Sequence, residues 1–369
     1  MSRDFVSVPG RVNLIGEHID YHNLPVLPMA LDRRVRIEFE PRADRLLRAR
    51  SGPYPERQFE ISAHPDFRPG DWGIYLYAAS QIALSRWSLR YGIDARITAD
   101  LPSAAGLSSS SALLTGIVLA LLRANEIEPS IAQMLEVLPD GEQLVGTRGG
   151  GMDHAAVVGA KAGCALLVQF APFKIEPVPI PSGWTFLVAH SLTYAQKSGA
   201  LKAEYNARRA AGQQALEKIG FSRYQDVLAL PDLDTLIRKN EANLTEPELS
   251  AFRHVTSEAR RLQAALEAIR KNEPGSFGKI LVESHESLRD ELRVSNPALE
   301  ELVACALDAG ALGARVTGAG FGGCVLVLCR TEESISLQQK LIARFYANRP
   351  EFVRQNHLFE AIPSAGALE

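Results

Sequence analysis

The stretch LPSAAGLSSSSAL (residues 101–113) joins a strand pattern to a helix pattern through a run of small residues. A strand pattern, ARITADLP (95–102), precedes its small residues, and a helix pattern, SALLTGIVLALLRAN (111–125), follows them. Between the two, small side chains let a ligand approach the backbone, and the N–H groups at a helix start attract anions. The stretch has neither the GK[ST] ending of a Walker A loop nor the GxGxxG of a dinucleotide-binding fold. It therefore predicts a phosphate-binding loop of another kind.

Four consecutive serines, Ser108 to Ser111, follow Gly106 in this loop. Their hydroxyl groups suit phosphate oxygens or a metal ion. The alternative is a serine that caps the helix after a flexible lead-in, but one serine satisfies that role. The run of four favours phosphate binding.

Two further glycine clusters suit a close approach to a ligand. GTRGGGMDH (146–154) places three consecutive glycines before Asp153, although an ordinary turn with Asp153 capping the next helix explains it equally well. Strand patterns lie on both sides of the glycines in RVTGAGFGGCVLVL (315–328). The alternative for this segment is a tight hairpin with bulges. This segment is weak evidence alone, and its value lies in being the third such glycine-rich loop in the chain.

The segment GRVNLIGEHIDY (10–21) places ionisable groups beside apolar residues that read as a buried strand. These groups are Arg11, Glu17, His18 and Asp20. Carboxylates and an imidazole fixed at a strand end can hold several hydroxyl groups at once, which is how polyols are bound. A solvated turn is one alternative, and a metal site is another, but the spacing is not that of the zinc motifs.

Composition restricts the class of protein. The chain has 369 residues, so two domains are expected. Its 40 basic and 43 acidic residues nearly balance, so the charge does not indicate a nucleic-acid or membrane partner. The start, MSRDFVSVPG, has no apolar run typical of a signal peptide. The four cysteines have no CxxC spacing, which indicates buried thiols in a reducing compartment. We expect a cytoplasmic enzyme that acts as a monomer.

The order of apolar patterns predicts an α+β protein with mixed sheets and helices on one face, in two lobes, and not a doubly wound parallel sheet. A boundary near residue 180 gives an N-terminal lobe (1–180) and a C-terminal lobe (181–369). The predicted helices include 72–92 and 130–146, the second interrupted near Pro139. The C-terminal lobe begins with a helical block, 202–220, 248–271 and 277–292, and ends with mixed strands and helices.

These segments resemble the galactokinase branch of the GHMP small-molecule kinases. PGRVNLIGEHIDY (9–21) is similar to the family's sugar-binding signature, residues 101–113 to its phosphate loop, and residues 315–328 to its third motif. GGGMD (149–153), EYNARR (204–209) and SHESLRDELRVS (284–295) are also similar, in the family's order. The resemblance implies the two-lobed GHMP kinase fold with its active site in the cleft between the lobes. It also implies ATP-dependent phosphorylation of the anomeric (C1) hydroxyl of a galactose-like sugar.

The resemblance implies roles for individual residues. Asp153 is similar to the catalytic acid–base residue and Arg11 to its partner, and so close an opposite charge favours the ionised carboxylate. The implied sugar ligands are Glu17, His18, Asp20, Gly150 and Tyr205. The implied ATP-binding residues are Trp72, Gly106, Ser108, Ser109, Ser110 and Ser111, with Ser109 and Glu142 as Mg²⁺ ligands. Trp72 is similar to an aromatic residue that packs on adenine, and a plain core position is the equal alternative.

Three departures from the family pattern fall near the implied sugar site. Ile19 replaces a threonine, HNLP (22–25) replaces an Asn-Gly-rich turn, and His154 follows Asp153 where glutamine is usual. They bear on the identity of the sugar, so N-acetylgalactosamine, arabinose or a uronic acid remain alternative substrates. A galactose and ATP sensor without catalysis is a further alternative, disfavoured by the full-length serine loop and by the presence of Asp153 and Arg11.

Overall fold

The computed structural model describes residues 4–68, 70–102, 105–146, 149–194 and 199–369. Parts of two predicted loops lie outside the described residues, namely Ser103 and Ala104 of the serine loop and Thr147 and Arg148 of the second glycine cluster.

The N-terminal part of the chain forms a five-stranded mixed sheet in the order β1-β2-β5-β3-β4. Its strands are β1 (Asp4–Ile15), β2 (Leu27–Arg42), β3 (Leu46–Ser51), β4 (Tyr54–Glu60) and β5 (Gly92–Ala99). Strands β3 and β5 pair in parallel and the other pairs are antiparallel. Side chains along residues 35–40 of β2 alternate between buried and exposed, because one face of the sheet is covered and the other meets water.

Four helices cover the buried face of this sheet. They are α1 (Gly73–Arg86), α2 (Ser109–Ala124), α3 (Ile131–Val145) and α4 (Met152–Gly159). Helix α2 contacts β1, β2 and β5, and its apolar residues share one core with them. The apolar run after the serines thus fixes the position of the serine loop at the edge of the sheet.

Two of the predicted helices differ in detail from those observed. The helix predicted over 72–92 ends at Arg86, because Trp87 is extended (ψ 150°) and the Asn125 side chain accepts the N–H groups of Arg90 and Tyr91 at 2.6 and 2.9 Å. Helix α3 continues through Pro139, where an interruption was predicted. A proline removes one helical hydrogen bond, and the buried residues on both sides of it hold the helix together.

The second half of the chain is built around a four-stranded antiparallel sheet in the order β11-β8-β10-β9. After a separate hairpin of β6 (Cys164–Phe170) and β7 (Phe173–Pro179) come β8 (Trp184–His190), β9 (Gly313–Val316), β10 (Cys324–Arg330) and β11 (Leu358–Glu360). The helices are α5 (Gly199–Lys218), α6 (Tyr224–Leu228), α7 (Leu233–Asn240), α8 (Glu246–Arg270), α9 (Pro274–Asp290), α10 (Pro297–Asp308), α11 (Ser334–Leu341) and α12 (Arg354–His357).

The end of β1 and the start of β2 pack into a shared core with α8, α9, β8 and β10. This core brings the segment 10–21 against the second half of the chain. The C-terminal tail then returns to the first half, where the Ala367 N–H donates to the Val157 carbonyl at 2.8 Å. The α+β class with mixed sheets is confirmed, and the boundary near residue 180, between β7 and β8, stays a prediction.

In the part of the chain that the structure describes, every helix is too short or too polar to cross a bilayer.

Candidate active site

One cavity is lined by the end of β1, the serine loop and the two other glycine clusters. The predicted site residues that line it are Arg11, Glu17, His18, Asp20, Gly106, Ser108, Ser109, Ser110, Glu142, Gly150, Asp153 and Tyr205. Residues 318–321 of the third cluster line it from the C-terminal half. Segments separated by more than three hundred residues in sequence therefore share one site.

The turn that follows β1 buries three ionisable side chains. Gly16 (φ 100°) and His18 (φ 59°) are left-handed, so the chain reverses sharply where the strand ends. Glu17, His18 and Asp20 are all buried, which excludes the alternative of a solvated turn.

Glu17 joins this turn to the third glycine cluster. Its Oε1 accepts the Gly318 N–H at 2.6 Å and lies 2.7 Å from Arg315 Nη2. Burial raises the pKa of Glu17, and the charges of Arg315 and Arg11 oppose that rise. The carboxylate therefore holds the two halves of the site together as well as facing the cavity.

Asp20 contacts the second glycine cluster. The Gly150 N–H donates to Asp20 Oδ2 at 3.1 Å, and a Cβ on residue 150 would lie 2.4 Å from the Asp20 carbonyl carbon. Only glycine therefore allows this approach. Burial, assisted by the negative charge of Asp153, raises the pKa of Asp20 to about 7.

The centre of the cavity is an ion pair between Arg11 and Asp153. Asp153 Oδ1 lies 2.8 Å from Arg11 Nε and 2.7 Å from Nη2, while Ser108 Oγ donates to Oδ2. Arg11 Nη1 also donates to the Gly106 carbonyl at 2.6 Å. Although burial disfavours the charged guanidinium, Asp153 and Glu17 raise the pKa of Arg11 above its ordinary value. Asp153 lies in the first turn of α4 and does not cap that helix, whose N-cap is Gly151.

The serine loop ends at the N-terminus of α2, which faces the cavity. Ser108 is the N-cap residue with a left-handed backbone (φ 58°), and Ser109 and Ser110 follow in the first turn. The aligned peptide dipoles of a helix attract anions to this end. The third cluster lies directly against the loop, since a Cβ on Gly318 would come within 2.7 Å of the Gly106 carbonyl oxygen.

Glu142 and the serines offer oxygen ligands that fit a magnesium ion. Mg²⁺ prefers oxygen donors and is commonly held by one or two carboxylates together with substrate phosphates. Glu142 Oε1 accepts from Ser111 Oγ at 2.8 Å, and a Cβ on Gly149 would come within 2.8 Å of Oε2. Glycine at position 149 therefore keeps space open beside this carboxylate.

An aromatic wall borders the end of the cavity near His18. The rings of His18 and Tyr205 are 5.4 Å apart, and those of Tyr21 and Tyr205 are 5.7 Å apart. Burial lowers the pKa of His18 to about 3, so its ring is neutral at physiological pH. Its Nδ1 is 3.0 Å from the Tyr21 hydroxyl. This wall offers flat apolar surface and neutral hydrogen-bonding groups side by side.

Two of the predicted site residues are not on the cavity wall. Ser111 is buried behind it, and its hydroxyl donates to Glu142, which lines the cavity. Trp72 is buried in the core of the first sheet, and its Nε1 donates to the Pro55 carbonyl at 2.9 Å. Trp72 thus occupies a position in the core, which was the alternative for this residue. The predicted contact between Trp72 and adenine stays a prediction.

The three sequence departures lie just outside the cavity. Ile19 is fully buried among apolar residues and does not face the site. The His22 ring presses on α5, where a Cβ on Gly212 would come within 2.5 Å of His22 Nε2. His154 is fully buried, with Nε2 3.4 Å from Glu142 Oε1.

Sequence reasoning missed a buried polar cluster behind the site. Its members are His254, Glu258, Ser284 and Arg315, all fully buried. Arg315 and Ser284 begin two of the quoted motifs, but no role was expected for either. A sequence pattern could have indicated His254 and Glu258. They are ionisable residues four apart on a helix, and they share its apolar face with Val255, Ala259 and Leu262.

Family models match three segments of the chain. The galactokinase galactose-binding signature matches residues 2–41, the GHMP kinases N terminal domain matches residues 75–161, and the GHMP kinases C terminal model matches residues 265–348. The three segments contain the turn after β1, the serine loop with Asp153, and the third glycine cluster.

Curated relatives are similar over most of the chain. A galactokinase from Chloroflexus aggregans is 36% identical over 342 residues, which are 91% of this chain and 86% of the relative. A galactokinase from Streptomyces coelicolor is 32% identical over 98% of this chain and 92% of the relative.

Solved structures agree on the fold. Lactococcus lactis galactokinase complexed with galactose matches with a TM-score of 0.83 at 23% identity, covering 99% of this chain and 94% of the other. The mevalonate kinase of L. major in complex with R-mevalonate matches with a TM-score of 0.65 at 19% identity, covering 99% of this chain and 97% of the other. The expected GHMP kinase fold is confirmed.

Proposed function

The chain belongs to the galactokinase family of the GHMP kinases, and on this premise we propose that it transfers the γ-phosphoryl group of ATP to the C1 hydroxyl of galactose. The products are galactose 1-phosphate and ADP. The observation that carries the proposal is the position of Asp153, which lies between the ionisable turn after β1 and the serine loop.

Asp153 accepts the proton of the C1 hydroxyl as that oxygen attacks the γ-phosphorus. Its ion pair with Arg11 fixes one carboxylate oxygen, and the Ser108 hydroxyl fixes the orientation of the second oxygen. Arg11 also stabilises negative charge on the transferring group, because its guanidinium lies on the cavity wall beside the serine loop. Phosphoryl transfer needs mainly positioning and charge stabilisation, which this arrangement supplies.

The phosphates of ATP bind at what we call the phosphate end of the cleft, which comprises Gly106, Ser108 to Ser110 and Glu142. Helix α2 directs its N-terminus there, and Ser109 and Glu142 are the residues that would hold Mg²⁺. When bound, the ion neutralises charge on the β- and γ-phosphates.

The sugar binds at the sugar end, which comprises Glu17, His18, Asp20, Gly150 and Tyr205. Carboxylates there accept hydrogen bonds from several hydroxyl groups, and the neutral His18 ring adds a further polar contact. A uronic acid would bring an additional negative charge beside Glu17, Asp20 and Asp153, so this alternative is disfavoured. Ile19 faces away from the cavity, so the replacement of threonine there leaves the sugar contacts intact.

We further propose that the protein acts as a monomer in a reducing compartment such as the cytoplasm. Arg11, Asp153 and the third glycine cluster come together within one chain. All four cysteines are free thiols.

ADP release in the presence of Mg²⁺ and ATP, measured for a panel of free sugars, tests the proposed function. The panel contains galactose, 2-deoxygalactose, N-acetylgalactosamine, arabinose, galacturonate and glucose. We expect the highest kcat/KM for galactose and no detectable turnover of galacturonate. Turnover of another sugar in place of galactose would keep the reaction and change the substrate. Tight binding of ATP and galactose without product would instead support the sensor alternative.

A further inference from the structure

We propose that His254 and Glu258, which lie four residues apart on α8, are positioning residues that hold the turn Gly16–His18 in its sugar-binding conformation. The proposal rests on the proposed function, because it takes the ligand of this turn to be the sugar. Neither residue lines the cavity, so each acts through the backbone of the turn.

The two side chains make complementary hydrogen bonds to one stretch of backbone. Glu258 Oε1 accepts the Gly16 N–H at 2.9 Å and the Glu17 N–H at 3.3 Å. His254 Nε2 lies 3.0 Å from the Glu17 carbonyl oxygen and donates to it, while Nδ1 accepts from Ser287 Oγ at 2.9 Å. An acceptor and a donor spaced one helical turn apart thus bind both polar groups of the Glu17 peptide backbone.

The turn needs such partners because its conformation is unfavourable and because it is buried, so solvent cannot satisfy its backbone polar groups. Gly16 and His18 both have positive φ, and the second costs energy for a residue with a Cβ. Buried backbone N–H and C=O groups left without partners cost further free energy. Without α8, the turn would relax toward conformations that do not direct Glu17 and His18 into the cavity.

Charges around Glu258 keep it an acceptor. Burial favours its neutral form, but the charges of Arg261 and Arg315 lower the pKa of Glu258 to about 2. Arg261 Nε donates to Oε2 at 2.8 Å, and Ser284 Oγ donates to Oε1 at 2.9 Å.

Arg315 extends the cluster to the side chain of the turn. Its Nη1 lies 3.5 Å from Glu258 Oε1, and its Nη2 lies 2.7 Å from Glu17 Oε1. The backbone and the side chain of Glu17 are therefore fixed by one continuous network. We infer that this network sets sugar affinity while leaving the phosphate end unaffected.

The test compares His254→Leu with a matched control, Thr256→Val, on the same helix. Thr256 is also buried, but its hydroxyl donates to the Phe252 carbonyl within α8 and does not reach the turn. Loss of the donor to the Glu17 carbonyl should raise the galactose Kd, measured by calorimetry, about tenfold. The KM for ATP should stay within about twofold of the wild-type value, and the control should match the wild type in both.

A second pair of variants separates positioning from folding. His254→Gln keeps an amide donor and should restore the galactose Kd to within about threefold of the wild-type value. Glu258→Gln removes the negative charge and should raise the Kd at least tenfold. Should Glu258→Gln fail to fold, the His254 pair still decides, because it leaves the charges on Glu258, Arg261 and Arg315 in place.

The proposal is overturned if His254→Leu and Thr256→Val have the same galactose Kd, or if His254→Leu raises the KM for ATP as much as the galactose Kd. A wild-type protein that binds no galactose would overturn the proposed function instead, so the two failures are distinguishable.

Discussion

At the sugar end of the cleft, ionisable side chains sit on a buried turn whose backbone is bound by α8, whereas at the phosphate end the chain offers small residues and a helix N-terminus. Glu17 contacts both Arg315 and Gly318. Ser109 and Ser110 instead line the cavity in the first turn of α2. We therefore expect the sugar end to bind hydroxyl groups through fixed charges and the phosphate end to bind phosphates through backbone geometry.

Asp153 joins the two ends, so its substitution should have the largest effect. Asp153→Asn keeps the shape of the side chain but removes the proton acceptor and the ion pair with Arg11. We expect kcat to fall about a thousandfold, which is within the range of general base catalysis. The dissociation constants of ATP and galactose, measured separately, should change only a few-fold. A variant with kcat near the wild-type value would remove Asp153 from the reaction.

The sugar end should be sensitive to any added atom at Gly150. In Gly150→Ala the new Cβ would lie 2.4 Å from the Asp20 carbonyl carbon, so the turn after β1 must shift. We expect the KM for galactose to rise between about tenfold and a hundredfold, with a smaller change in the KM for ATP. Gly275→Ala is the control, because a Cβ there contacts nothing within 4 Å. Equal changes in both KM values would show that the two ends are not separable.

The phosphate end is tested by Glu142→Gln. An amide oxygen is a weaker magnesium ligand than a carboxylate, so the Mg²⁺ concentration for half-maximal activity should rise about tenfold. The KM for galactose should remain close to its wild-type value. Glu136→Gln, on the exposed face of the same helix, provides the control. If sugar affinity changed and the metal requirement did not, Glu142 would belong to the sugar end.

The buried carboxyl group of Asp20 predicts a pH dependence of stability. Its pKa is raised from 3.8 to about 7, so between these values the folded protein holds a proton that the unfolded chain has released. The stability contributed by this group is fully present below pH 4 and is lost as the pH rises toward 7. The unfolding free energy of wild type minus that of Asp20→Asn should therefore fall by about 1 kcal/mol or more between pH 4 and pH 7.

Urea denaturation at a series of pH values measures this difference. His18, His22 and His254 have pKa values lowered by burial, and they oppose the trend in both proteins. Taking the difference between wild type and variant removes their contribution. A difference that is constant with pH would show that Asp20 ionises normally.

Local sequence patterns predicted the parts of the site that depend on local structure. The strand before Gly16, the helix after Ser108 and the glycines that approach Asp20 and Gly106 all follow from residue size, periodicity and polarity. The implied roles of Asp153 and Arg11 came from the family resemblance, and the structure brings these two residues into contact.

The rest depends on contacts between distant segments. His254 and Glu258 are separated from the turn they bind by more than two hundred residues, so no local pattern relates them. The β3–β4 hairpin was not predicted, because β4 is polar and mostly exposed and carries little apolar alternation. The burial of Trp72 depends on how α1 lies on the sheet, which one helix pattern does not determine.

The position of the transferred phosphate tests the central claim most directly. The wild-type protein is incubated with galactose, ATP and Mg²⁺, and the product is examined by phosphorus and proton magnetic resonance. We predict one new sugar phosphate with its phosphorus coupled to the anomeric proton and with an acid-labile bond. Phosphate on another hydroxyl, or ADP formation with free phosphate and unchanged sugar, would contradict the placement of the C1 hydroxyl beside Asp153.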